Sequence, residues 1–191
     1  MFQIVPEGPH DGPAIDSLLD TSFGADRRRK ISYRYRVGLE PLTELGLVAR
    51  EGERLVGTIR YWPMQLDGTP VLLLGPIAID PEHRGQGIAR ALMEQSMAKA
   101  AALGWRHVFL VGDAEYYHQR GFSSCPANVR MPGENPARLQ VALLKDGALP
   151  AEGGVLRHAL PGSRLTALQR SQIGEERLAD GGETLVGGHA G

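Results

Sequence analysis

Two short stretches carry residue types suited to chemistry. The first is Arg84-Gly85-Gln86-Gly87-Ile88-Ala89-Arg90. Its two glycines let the chain turn tightly and leave no Cβ to keep a ligand from the backbone. A helical pattern comes directly after, so the first N–H groups of that helix have no partner inside it and point outward together. They lie at the positive end of the helix dipole, where a phosphate or pyrophosphate is stabilised. Arg84 and Arg90 can add charge-assisted contacts. No Gly-Lys-Ser/Thr comes next, and the spacing is not Gly-x-Gly-x-x-Gly, so the turn is neither a Walker loop nor a dinucleotide fingerprint. The second stretch is Gly112-Asp113-Ala114-Glu115-Tyr116-Tyr117-His118-Gln119-Arg120-Gly121-Phe122. It reads as a short helix capped by Asp113 and ended by Gly121, bearing two phenols. A positioned tyrosine hydroxyl can act as a general acid.

The elements around these stretches must hold them in place. Phe2 to Val5 reads as a strand, and a helix begins at Asp11 or Gly12 with Ile15, Leu18 and Leu19 at helical spacing. Leu45 to Arg50 and Arg54 to Trp62 flank Glu51-Gly52-Glu53 and read as a hairpin. Asp67-Gly68 marks another turn. Val71 to Ile79 is a nearly continuous apolar run, which suggests a strand buried on both faces. Gly75-Pro76 interrupts it. Proline cannot donate to a central ladder, so a bulge is expected there, freeing backbone groups for a ligand lying along the strand. A long helix is expected from Gly85 to Leu103, with Leu92, Met93, Ser96 and Ala100 inward and Gly104 as its left-handed stop. His107 to Val111 is the next strand. The order strand, helix, strand, helix requires parallel pairing of the two strands. Pro126 to Pro136 reads as a loop, and Leu139 to Leu144 and Val155 to Leu160 as closing strands.

Taken together, these motifs bear a resemblance. Arg84-x-x-Gly87-x-Ala89, after an Ile-Ala-Ile-Asp-Pro strand end, is similar to the Arg/Gln-x-x-Gly-x-Gly/Ala signature of the GNAT superfamily of acetyl-CoA-dependent N-acyltransferases. Gly112-Asp113-x-x-Tyr116-Tyr117-x-x-x-Gly121-Phe122 resembles that family's next motif, with Gln119-Arg120 standing where the common form has Arg-Phe. The Leu-Gly-Pro strand and Pro132-Gly133-Glu134-Asn135-Pro136 resemble a bacterial subgroup of predicted acetyltransferases. The resemblance covers roughly residues 1 to 160. It implies an α/β fold with a mixed, splayed central sheet and helices on both faces. It implies acetyl-CoA as cosubstrate, its pyrophosphate on Arg84 to Arg90 and its pantetheine arm paired with the backbone of Ile77, Ala78 and Ile79. Tyr117 holds the place of the tyrosine that commonly faces the CoA sulfur, and so becomes the expected acid in direct transfer to an amine. No metal is expected.

Other residues are read more plainly. Asp113 reads as a cap, Tyr116 as a packing residue and His118 as exposed. The general base is left open among Glu44, Glu82, His83 and His118. The segment Arg27 to Arg36 is the strongest charge cluster, and is either a solvated helix face or else a lip of the acceptor site or a contact with CoA phosphate. Cys125 reads as a small buried hydrophobe. A non-catalytic acyl-CoA-binding or interaction domain is the alternative reading, kept open by the lack of an acid in Val71 to Ile79.

Composition sets the outer bounds. At 191 residues the chain suits one domain over 1–160 with an extension over 161–191, partly helical over 163–179 and Gly-rich beyond. The net charge of −1 argues for no nucleic-acid or membrane partner. One cysteine allows no internal disulfide, and the opening residues do not read as a signal peptide, so a cytoplasmic location is expected. The extension leaves a homodimer open.

Overall fold

Asp67 and Gly68 turn two long strands back on each other, and the rest of the sheet is laid beside that hairpin. Both residues have positive φ, +42° and +90°, as a tight Asp-Gly hairpin turn requires. In the computed structural model, which describes residues 1–144 and 147–159, the elements in chain order are β1 (Gln3–Pro6), α1 (Gly12–Phe23), α2 (Ile31–Arg34), β2 (Leu47–Glu51), β3 (Arg54–Leu66), β4 (Thr69–Ile79), α3 (Ile88–Ala102), β5 (His107–Val111), α4 (Ala114–His118), β6 (Ser123–Ser124), β7 (Val129–Arg130), β8 (Leu139–Leu143) and β9 (Gly154–His158). By its contacts the chain divides into Met1–His158 and Ala159–Gly191. The helix expected over 163–179 and the Gly-rich end lie outside the described residues.

The sheet order is β1-β2-β3-β4-β5-β8-β6, with β9 paired to the far half of β3. Along that order only β4 and β5 run parallel among the described residues; β7 and β9 form a second parallel pair at the margin. The sheet is therefore mixed, as expected. Helix α1 covers one face, where Ile15, Leu18 and Leu19 cluster with Val48 and Ala78. Helix α3 covers the other. An added Cβ on Gly57 would stand 3.0 Å from Ile88 and 3.1 Å from Ala49 and Ile79, the residues that alternate with Val48 and Ala78. Farther along α3, the buried hydroxyls of Tyr61 and Ser96 lie 2.8 Å apart. Ser96 Oγ donates to the carbonyl of Leu92 at 2.7 Å, so Tyr61 donates to Ser96. Both buried hydroxyls are thus satisfied within the interface.

Two features set β4 apart. The first is the expected bulge. Ile77 faces Ile59 and Leu74 faces Tyr61, so Gly75 and Pro76 together oppose Arg60. Gly75 takes φ +129°, and the Gly75-Pro76 peptide is cis. The second is the shortness of the parallel ladder. Only Leu72 and Leu73 pair with β5, opposite Val108 and Phe109. Beyond them β4 runs on to Ile79 paired with β3 alone, while the chain after β5 turns off, Gly112 N donating to the carbonyl of Arg138. The sheet is splayed between β4 and β5.

Several boundaries differ from the sequence expectation. Helix α3 begins at Ile88 rather than Gly85, because Gly85 and Gly87 adopt φ of +79° and +81° and make a turn, with Gly87 as N-cap. Leu45 lies in a short 3-10 turn before β2. Strand β3 continues past Trp62 to Leu66, and the loop expected over 126–136 contains β7, formed only because β9 reaches it. Among the described residues no helix is long and apolar enough to cross a membrane.

Gly57→Val should overpack the seam between β3 and the first turn of α3. The expected loss is about 1–3 kcal/mol, read as a lower urea midpoint at unchanged slope.

Candidate active site

The phosphate turn is built from two left-handed glycines with a helix directly after them. A Cβ added to Gly85 or Gly87 would meet nothing within 4 Å. The space beside both residues is open, and their value lies in backbone conformation and access rather than in relieving a clash. The turn borders a cleft of about 570 Å³ lined by Ile77, Ala78, Ile79, Arg84, Gly85, Gly87, Ile88, Ala89 and Arg90. Gln86 is exposed and does not line it. The structure thus gathers nine of the ten residues singled out as a cofactor site. Arg90 donates to Glu94 at 2.7 Å, one helical turn on, which holds its charge near the rim.

Ser22, Phe23 and Arg120 also line this cleft, and the sequence did not single them out. Ser22 and Phe23 come from the end of α1, a contact no local signal could announce. Arg120 had a signal: it is part of the one departure from the family motif. Its guanidinium lies over the Tyr116 ring, 3.5 Å from the centroid, and donates to the Tyr116 carbonyl. This adds a cation to a cleft that already has Arg84 and Arg90, and gives exposed Tyr116 a packing role.

A second cavity of about 160 Å³ opens where β4 and β5 separate. Leu74, Gly75, Pro76 and Ile77 line one side, Leu110, Val111 and Tyr117 the other. Ile77 and Phe23 line both cavities, so the two adjoin. Tyr117 stands on α4, whose first turn is capped by Asp113 accepting from Tyr116 N at 2.9 Å. Its ring packs edge-on against Tyr116 and Phe122, at centroid distances of 4.9 and 5.8 Å. Burial, assisted by Tyr116, pushes its hydroxyl up to about 12 against the pull of Arg120 and Arg138. The phenol stays protonated, and so a donor, throughout the neutral range.

The basic segment follows both sequence readings in part, with Arg28, Arg29 and Arg34 exposed and other members beside a cavity. Arg27 is buried, 3% exposed, and paired with Asp16 and Asp20 of α1 at 2.8 Å each. That pins the segment against the domain. Lys30, Ser32, Tyr33 and Arg36 then face the Tyr117 cavity as its lip. The four candidate bases do not reach that cavity. Glu82 pairs with Arg54 at 2.9 Å. His83 is buried beside the larger cleft, its Nε2 3.0 Å from Glu51. His118 Nε2 is 3.0 Å from Gln140 Oε1, and Glu44 lines neither cavity. Cys125 packs against the core, and burial pushes its thiol up to about 12, as suits a small hydrophobe.

Gly112 controls the position of Tyr117. A Cβ there would stand 2.1 Å from Tyr117 Cε2. Gly112→Ala should expel the ring from its place and lower the phenol pKa toward the ordinary ~10. A phenolate absorbance titration, with Tyr117→Phe as reference, checks this.

Comparison with known proteins agrees with this fold. The Acetyltransferase (GNAT) family model matches residues 13–122, which spans the phosphate turn and the tyrosine helix. The uncharacterized N-acetyltransferase YhbS of Escherichia coli K12 is 32% identical over 158 residues, covering 80% of this chain and 93% of that protein. A crystal structure of YhbS in complex with CoA superposes with a TM-score of 0.71 at 31% identity, covering 83% of this chain and 89% of that one. A GNAT acetyltransferase from Brucella melitensis, solved with acetyl-CoA, has a TM-score of 0.63 at 23% identity, with 83% and 96% covered, and shows the same fold. The chain belongs to the GNAT acetyltransferase family and is an N-acetyltransferase.

Proposed function

We propose that the chain transfers the acetyl group of acetyl-CoA directly to an amine acceptor, with the cosubstrate lying from the 84–90 turn along Ile77 to Ile79 to Tyr117. The observation that carries this reading is the splay. Beyond Leu73 β4 has no β5 partner among the described residues, so one edge of Ile77, Ala78 and Ile79 offers backbone groups along a path between the two cavities. The larger cleft, at about 570 Å³, has the size of a cofactor site. Its open glycines and the guanidinium groups of Arg84, Arg90 and Arg120 suit a pyrophosphate. That YhbS was solved in complex with CoA supports a CoA thioester as the cosubstrate.

When bound, acetyl-CoA supplies an activated carbonyl and a thiolate leaving group. The protein's part is to place and polarise. An N–H from the free edge of β4 can donate to the carbonyl oxygen as charge develops there. Tyr117 donates to the departing sulfur. Its pKa of about 12 lies above the ~8.5 of an ordinary thiol, so a hydrogen bond to the forming thiolate, rather than complete proton transfer, is the favoured contribution. A C–N bond forms as the C–S bond breaks, and the amine proton leaves to solvent. Among the described residues no carboxylate or imidazole lines the Tyr117 cavity, so the amine proton is taken through water or the acceptor arrives as the free amine. Holding both substrates in one cavity supplies much of the rate gain.

Calorimetric titration with acetyl-CoA, followed by an acceptor-dependent thiol-release assay over a panel of amines, tests the reading. Gly87→Glu should abolish binding by placing bulk and negative charge in the turn; retained micromolar affinity would remove the assignment. Tyr117→Phe should lower kcat on the order of 10²-fold with little change in acetyl-CoA affinity. The raised pKa fixes the pH dependence. A donor must be protonated, so Tyr117 contributes fully at low and neutral pH and is lost only as pH climbs toward about 12. An alkaline limb below pH ~10 that disappears in Tyr117→Phe would contradict this.

A further inference from the structure

Arg36 sits at the lip of the reaction cavity with its charge uncompensated. Nε and Nη1 are buried and have no hydrogen-bond partner among the described residues. The guanidinium lies over two aromatic rings, 4.3 Å from the Tyr33 centroid and 5.7 Å from that of Trp62. Its Nη2 rests against Gly75, 3.0 Å from where a Cβ would stand, in space that the bulge of β4 leaves open. The neighbouring cations are treated differently. Arg27 pairs with Asp16 and Asp20, and Arg60 pairs with Glu7 through two hydrogen bonds. Burial pulls the Arg36 pKa down to about 10, with Tyr33 opposing and no carboxylate helping. The group is still a cation at neutral pH.

A buried charge without a carboxylate partner is costly, and contact with ring faces satisfies none of its N–H donors. Arg36 also occupies a particular place. It lines the cavity that holds Tyr117 and also a cavity of about 270 Å³, where Trp62, Val37 and Pro76 meet the charged Asp16, Arg28 and Arg60. Tyr33, Arg36 and Pro76 line both cavities, so the guanidinium stands where the two adjoin.

We propose that Arg36 binds a carboxylate of the acceptor, so that the amine acetylated by this enzyme belongs to a molecule that also carries a carboxylate. This rests on the transferase reading above and narrows its substrate class. The planar guanidinium fork matches a carboxylate and gives two charge-assisted bonds where a neutral group gives at best one. Trp62 and Val37 would pack the part of the acceptor that extends beyond the carboxylate.

The test uses wild-type protein loaded with CoA and titrated by calorimetry with amino acids whose amine lies one to five carbons from the carboxylate, and with the carboxamide of each. At least one acid should bind tenfold or more tightly than its amide. Arg36→Gln should erase that preference, raising the Kd of the preferred acid on the order of 10- to 100-fold, and Arg36→Lys should keep part of it. If Arg36→Gln also fails to bind CoA, it reports misfolding, and the wild-type comparison decides alone. Equal binding of acids and amides, or no binding of either while CoA binds, overturns the inference and leaves the transferase reading standing. Failure of CoA itself to bind overturns both.

Discussion

The structure depends on how little of β4 and β5 is paired. A parallel ladder that continued past Leu73 and Phe109 would give a closed sheet with satisfied edges and no place for a ligand. Instead β4 is held on one side by β3 over its whole length, while β5 leaves after Val111 for the tyrosine helix. The hairpin with β3 is what makes the open edge tolerable. It keeps β4 rigid and extended where its other side is free. The bulge at Gly75 and Pro76 falls in this same stretch, where a residue that cannot donate does least harm to the ladder.

The two ends of the opening are then supplied by different physics. At one end, left-handed glycines and the start of α3 present backbone donors and a favourable dipole. At the other, a side chain is held by packing alone. Tyr117 owes its position to the missing Cβ of Gly112 and to the edges of Tyr116 and Phe122. The same burial that fixes its ring raises its pKa, so rigidity and a protonated hydroxyl come from one cause.

The arginines of the segment after α1 show how one composition serves several ends. Arg27 is consumed in pinning the segment to α1 through Asp16 and Asp20. Arg28 is exposed beside Asp16. Arg36, in the same run, is buried without an acid. A count of charges would treat the three alike. The number of carboxylates within reach, which only the fold sets, separates them.

Much of the fold and half of the site were legible in the chain itself. Gly85 and Gly87, the Asp113 cap, the Asp67-Gly68 turn and the Gly75-Pro76 bulge are local: each derives from the φ a residue permits or the N–H it lacks, and neighbours in sequence suffice to read it. The alternation of apolar runs and helical spacing likewise implied the parallel pairing of β4 with β5. What the sequence left open depends on residues distant along the chain. Ser22 and Phe23 reach the phosphate cleft only because Ile15, Leu18 and Leu19 seat α1 on Val48 and Ala78. Arg36 lies beside Gly75 only because Arg27 anchors its segment. Val129 and Arg130 become a strand only when β9 arrives. Backbone conformation is encoded where it occurs, whereas burial and charge compensation are properties of whatever the fold brings near, and those the tertiary structure alone decided.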